Sequence, residues 1–147
     1  HNLTHPLNDW IGSALYGEFT MGEKHTAFEA KVLLEKRLGK WTIGWNGVFE
    51  SEWEGDKFAD CQESSGELSQ TFGIAYDLSK AFSVGLEAVH KTALDKWSAP
   101  AEPRFHVGPS VTFRQKDFYA TVGTLFQVTD RKADSSFQMR AIIGVEF

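Results

Sequence analysis

An up-and-down antiparallel transmembrane β-barrel of about eight strands is the all-β fold class that the sequence predicts. Three observations carry it. Apolar and polar residues alternate in long runs, the polar parity of nearly every run holds a glycine, and aromatic residues recur near run ends on the apolar parity. A side-chain period of 2 belongs to strands, because successive Cβ atoms point to opposite faces.

The runs fall at roughly 11–20, 26–36, 40–53, 67–77, 81–90, 104–114, 117–128 and 136–147. The first places Gly12 on the polar parity. The second carries Phe28, Ala30, Val32 and Leu34 on one charge-free face. Trp41 and Trp53 bracket the third, and Gly73 marks the polar parity of the fourth. In the fifth, Phe82, Val84, Leu86 and Ala88 oppose Ser83, Gly85 and Glu87. The sixth and seventh repeat the pattern, with Phe105, Val107, Pro109, Val111 and Phe113, then Phe118, Ala120, Val122, Thr124 and Phe126. The eighth ends the chain, setting Phe137, Met139, Ala141, Ile143, Val145 and Phe147 against Gln138, Arg140, Gly144 and Glu146.

Connections alternate in length. Lys36–Lys40, Asp77–Lys80 and Arg114–Asp117 read as tight turns, whereas 54–66, 91–103 and 129–135 are longer and polar. Only the connection MGEKH is short where a long loop is expected. One domain results: an N-terminal tail over 1–10 and a barrel over 11–147.

Alternation alone does not say which face is wet, since a soluble lipocalin-like barrel and a membrane barrel exchange inside for outside. The charge-free faces run for about nine residues, the length a tilted strand needs to cross hydrocarbon. Gly12, Gly44, Gly73, Gly85, Gly108, Gly123 and Gly144 crowd the polar parity. A solvated surface has no use for them, but a converging interior does. With matching parity, Gly73 is expected across from Gly85 and Gly108 across from Gly123. Trp41, Trp53, Phe82, Phe113, Phe118 and Phe147 resemble an interfacial girdle. The apolar faces are therefore expected to point outward, into lipid.

Composition agrees by exclusion. The chain has 147 residues, 41% apolar, with 20 acidic and 15 basic side chains and a net charge of −5. Nucleic acid is disfavoured as a partner. No apolar run approaches the about 20 residues of a membrane-spanning helix. The single cysteine, Cys61, has no internal disulfide partner. Opening at His1 without a basic-then-apolar leader, the sequence reads as a mature product or a fragment.

Inward-facing ionisable groups on this assignment are Glu18, Glu29, Lys31, Glu35, Glu50, Glu52, Asp77, Glu87, His106, Arg140 and Glu146. Glu35, Glu52, Asp77 and Glu146 belong near the wet rims. Glu29, Lys31, Glu50, Glu87, His106 and Arg140 form the expected polar network of the lumen, with Lys31 and Arg140 as partners for Glu29 and Glu87. Such a network either plugs the barrel with ion pairs or lines a cation-favouring or solute-conducting lumen, a channel for small or hydrophobic solutes. Eight strands favour the plug, because their interior is just filled by side chains, and a wider barrel favours the conduit.

A lipid-modifying enzyme is the third class considered. His106 and Ser110 share the inward face, yet four residues along a strand span roughly 13 Å at about 3.3 Å each, against the roughly 3 Å a nucleophile and base require. No catalytic residue is assigned. His1 and His5 belong to a tail, His25 to a loop, His90 to the outward parity and His106 to the inward one, so no metal site and no cofactor are expected.

At the terminal GVEF the sequence resembles a family. Bacterial outer-membrane β-barrels end in an amphipathic strand whose last residue is Phe, and Ile143, Val145 and Phe147 match that pattern. The resemblance implies a Gram-negative outer-membrane location and makes these residues the signal for the barrel-assembly machinery. Membrane lipid and lipopolysaccharide are then the surroundings, and the outer loops are expected to face an envelope protein partner. More narrowly, LSKAFSVGLEAVH, RFHVGPSVTF, DFYATVGTLFQVTD and MRAIIGVEF look like the C-terminal hairpins of MetA-type barrels associated with phenol degradation. Members of that group carry further strands before the point where this chain begins. Their orientation puts Phe147 and the tight turns on the periplasmic side, and the long loops with Cys61 outside.

Overall fold

The computed structural model describes residues 1–55, 63–95, 103–129 and 135–145. Nine strands, β1 (Asn2–Thr4), β2 (Gly12–Met21), β3 (His25–Leu38), β4 (Trp41–Glu54), β5 (Glu63–Asp77), β6 (Phe82–Asp95), β7 (Arg104–Gln115), β8 (Phe118–Gln127) and β9 (Phe137–Val145), form one sheet in chain order. Every neighbouring pair is antiparallel. The eight expected strands are present, and the up-and-down topology with them.

Closure is not. Among the described residues no ladder joins β9 to β1 or β2, and no Cα of β9 lies within 8 Å of either. The sheet curls around a concave face but stays open. The expected tail also contains structure: Asn2 and Thr4 pair with Ala14 and Ser13, and the His1 amine donates to the Leu15 carbonyl at 2.5 Å. A short strand therefore covers the lower edge of β2, where a closing β9 would have to pair. Pro6 sits so close over Gly12 that a Cβ there would lie 2.7 Å from its nitrogen.

Two hairpins run further than periodicity suggested. Segments 63–66 and 91–95, expected in loops, are strand, with Ser65 opposite Asp95 and Gly66 opposite Leu94. Apart from Ala93 and Leu94 their residues are polar or glycine, so the apolar alternation fades before the ladder does. His25, expected in a loop, opens β3 opposite Glu54. The turn Gly22–Lys24 is tight as read, closed by the Gly22 N–H on the His25 carbonyl at 2.7 Å.

Register corrects the glycine pairing. Gly73 lies opposite Glu87 and Gly85 opposite Ala75, while Gly123 lies opposite Ser110. Parity holds, but each hairpin is offset by two residues from the expected alignment. The physical cause at the first is a wide turn over 78–81, in which the Ser79 hydroxyl accepts from the Ala81 and Phe82 N–H groups. At Gly108–Pro109 the β7–β8 ladder is interrupted, since proline has no N–H to donate. A Cβ on Gly108 would lie 1.7 Å from the Thr124 carbonyl oxygen, so only glycine fits where β8 crosses closest.

Burial is inverted relative to a water-soluble sandwich. Along β7, His106 and Gly108 are buried while Phe105, Val107, Pro109 and Val111 are exposed. Phe28, Val84 and Ile143 are 40%, 39% and 72% exposed, on the convex side. Among the described residues Leu125 and Val89 are the buried apolar side chains, both on the concave parity, and Val89 stands opposite His106 in the β6–β7 ladder.

Candidate functional site

The polar parity of β2 to β9 lines one concave surface around a cavity of about 1260 Å³. Its walls include Gly44, Gly73, Glu87, Ser110, Gly123 and Arg140, with the N-terminal segment from Asn2 to Pro6 at the turn end. Small residues at these positions keep the volume clear, and the few long polar chains project into it.

Glu87 is the central one. Gly73 and Gly108 are its direct neighbours across the ladders, and a Cβ on Gly123 would come 3.6 Å from its Oε1. Arg140 on β9 faces it with Nη1 3.7 Å from Oε2. Three strand spacings separate β6 from β9, so the pair exists only because the sheet curls.

Nearer the loop end lies a transverse row of carboxylates. Glu18, Glu29, Glu50 and Glu67 stand opposite one another on β2, β3, β4 and β5. Lys31 Nζ meets Glu29 Oε1 at 2.8 Å, and Lys91 Nζ and Arg104 Nη2 meet Glu67 at 2.7 and 3.2 Å. The Tyr16 hydroxyl donates to Glu18, and Lys31 lies 4.9 Å above the Tyr16 ring. Glu50, between two other carboxylates, has no cation at ion-pair distance among the described residues. Like charges directly opposite one another in a sheet repel, which makes Glu50 the weak point of the row.

Of the residues singled out from sequence, Glu29, Lys31, Glu50, Glu87, His106 and Arg140 all lie on the concave parity, in two groups and one outlier. His106 is 3% exposed, its Nε2 3.2 Å from the Ser135 carbonyl and 3.3 Å from the Gln138 amide nitrogen. It ties β7 to the start of β9. Glu35 is paired with Arg37 at 3.1 Å, and Asp77 accepts from the Ser83 hydroxyl at 2.6 Å. Ile143 and Val145 are exposed on the convex side of β9, while Phe147, Glu146 and Cys61 lie outside the described residues. His90 faces outward and stacks on Phe105, centroids 4.6 Å apart.

Sequence reasoning missed Glu67, Lys91 and Arg104. The signal is in the sequence: Glu87, Val89 and Lys91 continue one parity, but Lys91 follows Val89, the last apolar residue of that parity, and by periodicity alone reads as loop. The concave face thus carries carboxylates near one end and an Arg–Glu pair at mid-height. No family model matches the chain, nor does any curated protein or solved structure.

Proposed function

We propose that this chain forms the wall of an integral β-barrel in a bacterial outer membrane, serving as a non-enzymatic envelope protein with lipid on its convex side and a polar lumen on its concave side. The inverted burial carries this reading. Phe28, Phe72, Leu86, Val111, Val122 and Ile143 are all exposed on the convex side, and an exposed apolar face of this kind fits contact with lipid. Strands in lipid must also have every backbone group paired, so the open β2–β9 seam has to be closed in the membrane, by those edges or by further strands.

A second reading is a conduit for small solutes, supported by the open cavity of about 1260 Å³ where a plugged eight-stranded interior would be filled. The resemblance to longer MetA-type barrels is in keeping with a wider lumen. A lipid-modifying activity has no comparable support.

The membrane reading is tested by folding the purified chain with and without detergent. Folding only in micelles or vesicles, with a heat-dependent shift in gel mobility, is expected. A folded monomer in plain buffer overturns it. Planar-bilayer recordings then divide the two lumen readings: steady ion-selective current supports the conduit, and a silent but inserted protein supports the plug.

A further inference from the structure

The edge of β9 and the upper edge of β2 carry no ladder among the described residues, and their backbone groups match. On β2 the Gly22 N–H donates to the His25 carbonyl at 2.7 Å, so even-numbered residues turn their backbone groups toward β3. The Leu15 N–H points the other way, to the His1 carbonyl at 2.9 Å. On β9 the even side again faces its neighbour, as the Gln127 N–H on the Ser136 carbonyl at 2.9 Å shows. This direction alternates along antiparallel strands. Odd-numbered residues of both strands therefore aim their N–H and C=O groups at the open seam.

Length and parity leave one register. For all nine residues of β9 to fall opposite β2, Phe137 must meet either Met21 or Thr20. Thr20 sets odd residues against even ones, which misaligns the hydrogen bonds and puts convex side chains beside concave ones. Met21 aligns both. It also sets Ile143 opposite Leu15, Met139 opposite Phe19 and Arg140 opposite Glu18, and opposite charges directly across a sheet attract. Curvature agrees. Following ladder partners from Phe137 strand by strand, through Val107 on β7 and Phe72 on β5, leads to Ser13 on β2. Met21 lies eight residues beyond Ser13, which is the shear of a barrel closed over β2 to β9. At about 3.3 Å per residue and about 4.8 Å per strand, the strands then tilt by roughly 35°, as closed barrels require.

We propose that β9 pairs with β2 of the same chain at this register, displacing β1 and closing an eight-stranded barrel with Arg140 opposite Glu18. β1 has to leave, because Asn2 and Thr4 hold Ala14 and Ser13, the residues that Gly144 and Val145 would meet. Its hold is slight. Two ladder positions with a register shift between them are supplemented by the Thr4 hydroxyl, which donates to the Ile11 carbonyl at 2.6 Å and meets Ser13 Oγ at 2.7 Å. Nine aligned positions replace those two. In lipid, where unpaired backbone groups are costly, that exchange is favoured. The inference rests on the membrane reading above and specifies how its open seam is closed.

The test is disulfide trapping in the full chain folded in micelles, with Cys61→Ser in every variant. Thr20→Cys with Gln138→Cys, and Ser13→Cys with Val145→Cys, are directly opposite at this register, where Cα separations of about 4.5–5.5 Å suit a disulfide. Both pairs should give a crosslink at monomer mass, read as a mobility shift that reductant reverses. Gln138→Cys with Glu18→Cys or with Gly22→Cys is two residues out of register and about 7–8 Å apart. These offset pairs should crosslink at less than about a tenth of that yield. An offset pair that does better than Thr20→Cys with Gln138→Cys overturns the register. Crosslinks at dimer mass overturn closure within one chain, and a Ser13→Cys, Val145→Cys pair that stays reduced overturns the displacement of β1. A parent chain that does not fold in micelles removes the membrane reading itself, a separate result.

Discussion

Arg140 on β9 reaches past β8 and β7 to Glu87 on β6, bringing Nη1 to 3.7 Å from Oε2. The contact spans the curl of the sheet and joins strands three ladders apart. Both side chains are partly exposed, so its strength is that of a screened pair. Arg140→Ala is expected to lower stability in micelles by about 0.5–1 kcal/mol. Combined with Glu87→Gln, the loss should be smaller than the sum of the two singles, read from denaturant midpoints. Strict additivity would mean that the pair does not hold the curl.

Gly108 should tolerate no side chain. A Cβ there would meet the Thr124 carbonyl oxygen at 1.7 Å, and that oxygen is backbone. Gly108→Ala is expected to cost about 3 kcal/mol, as strands β7 and β8 are forced apart. Gly17→Ala is the control, because nothing lies within 4 Å of the added carbon. It should be neutral or slightly stabilising in the same unfolding assay.

Glu50 is the middle carboxylate of the transverse row, with Glu29 and Glu67 opposite it on the two neighbouring strands. Glu50→Gln keeps the shape and removes one repelling charge. It should stabilise the fold by about 0.5 kcal/mol at neutral pH. Glu67→Gln should do the opposite, since it removes the partner of both Lys91 and Arg104.

Lys116 holds a left-handed backbone at φ 50 in the turn between β7 and β8. That conformation costs an L-residue other than glycine, asparagine or aspartate roughly 1 kcal/mol. Lys116→Asn should therefore raise the unfolding midpoint by the equivalent of about 0.5 kcal/mol. Gly39, at φ 61 in the turn before β4, should respond in the other direction to Gly39→Ala.

The strands were legible in the sequence because parity is local. Phe82, Val84, Leu86 and Ala88 announce one face whatever they pair with, and the three tight turns announce where the chain reverses. The sharing of the concave face by Glu29, Lys31, Glu50, Glu87, His106 and Arg140 followed from the same period. Strand ends were less legible: Lys91 and Glu67 sit where apolar alternation gives way to polar ladder, and the signal used to find strands is burial in an apolar layer.

What the sequence by itself determined is thus which side chains share a face and how many times the chain turns. Register, curvature and closure were decided only in the tertiary structure. Period 2 repeats after every second residue, so it is blind to the two-residue offset that puts Glu87, not Gly85, opposite Gly73. Closure depends on how twist and curl accumulate over eight ladders and on which segment reaches the free edge first. Here that segment is Asn2–Thr4, which pairs with β2 where β9 would have to close.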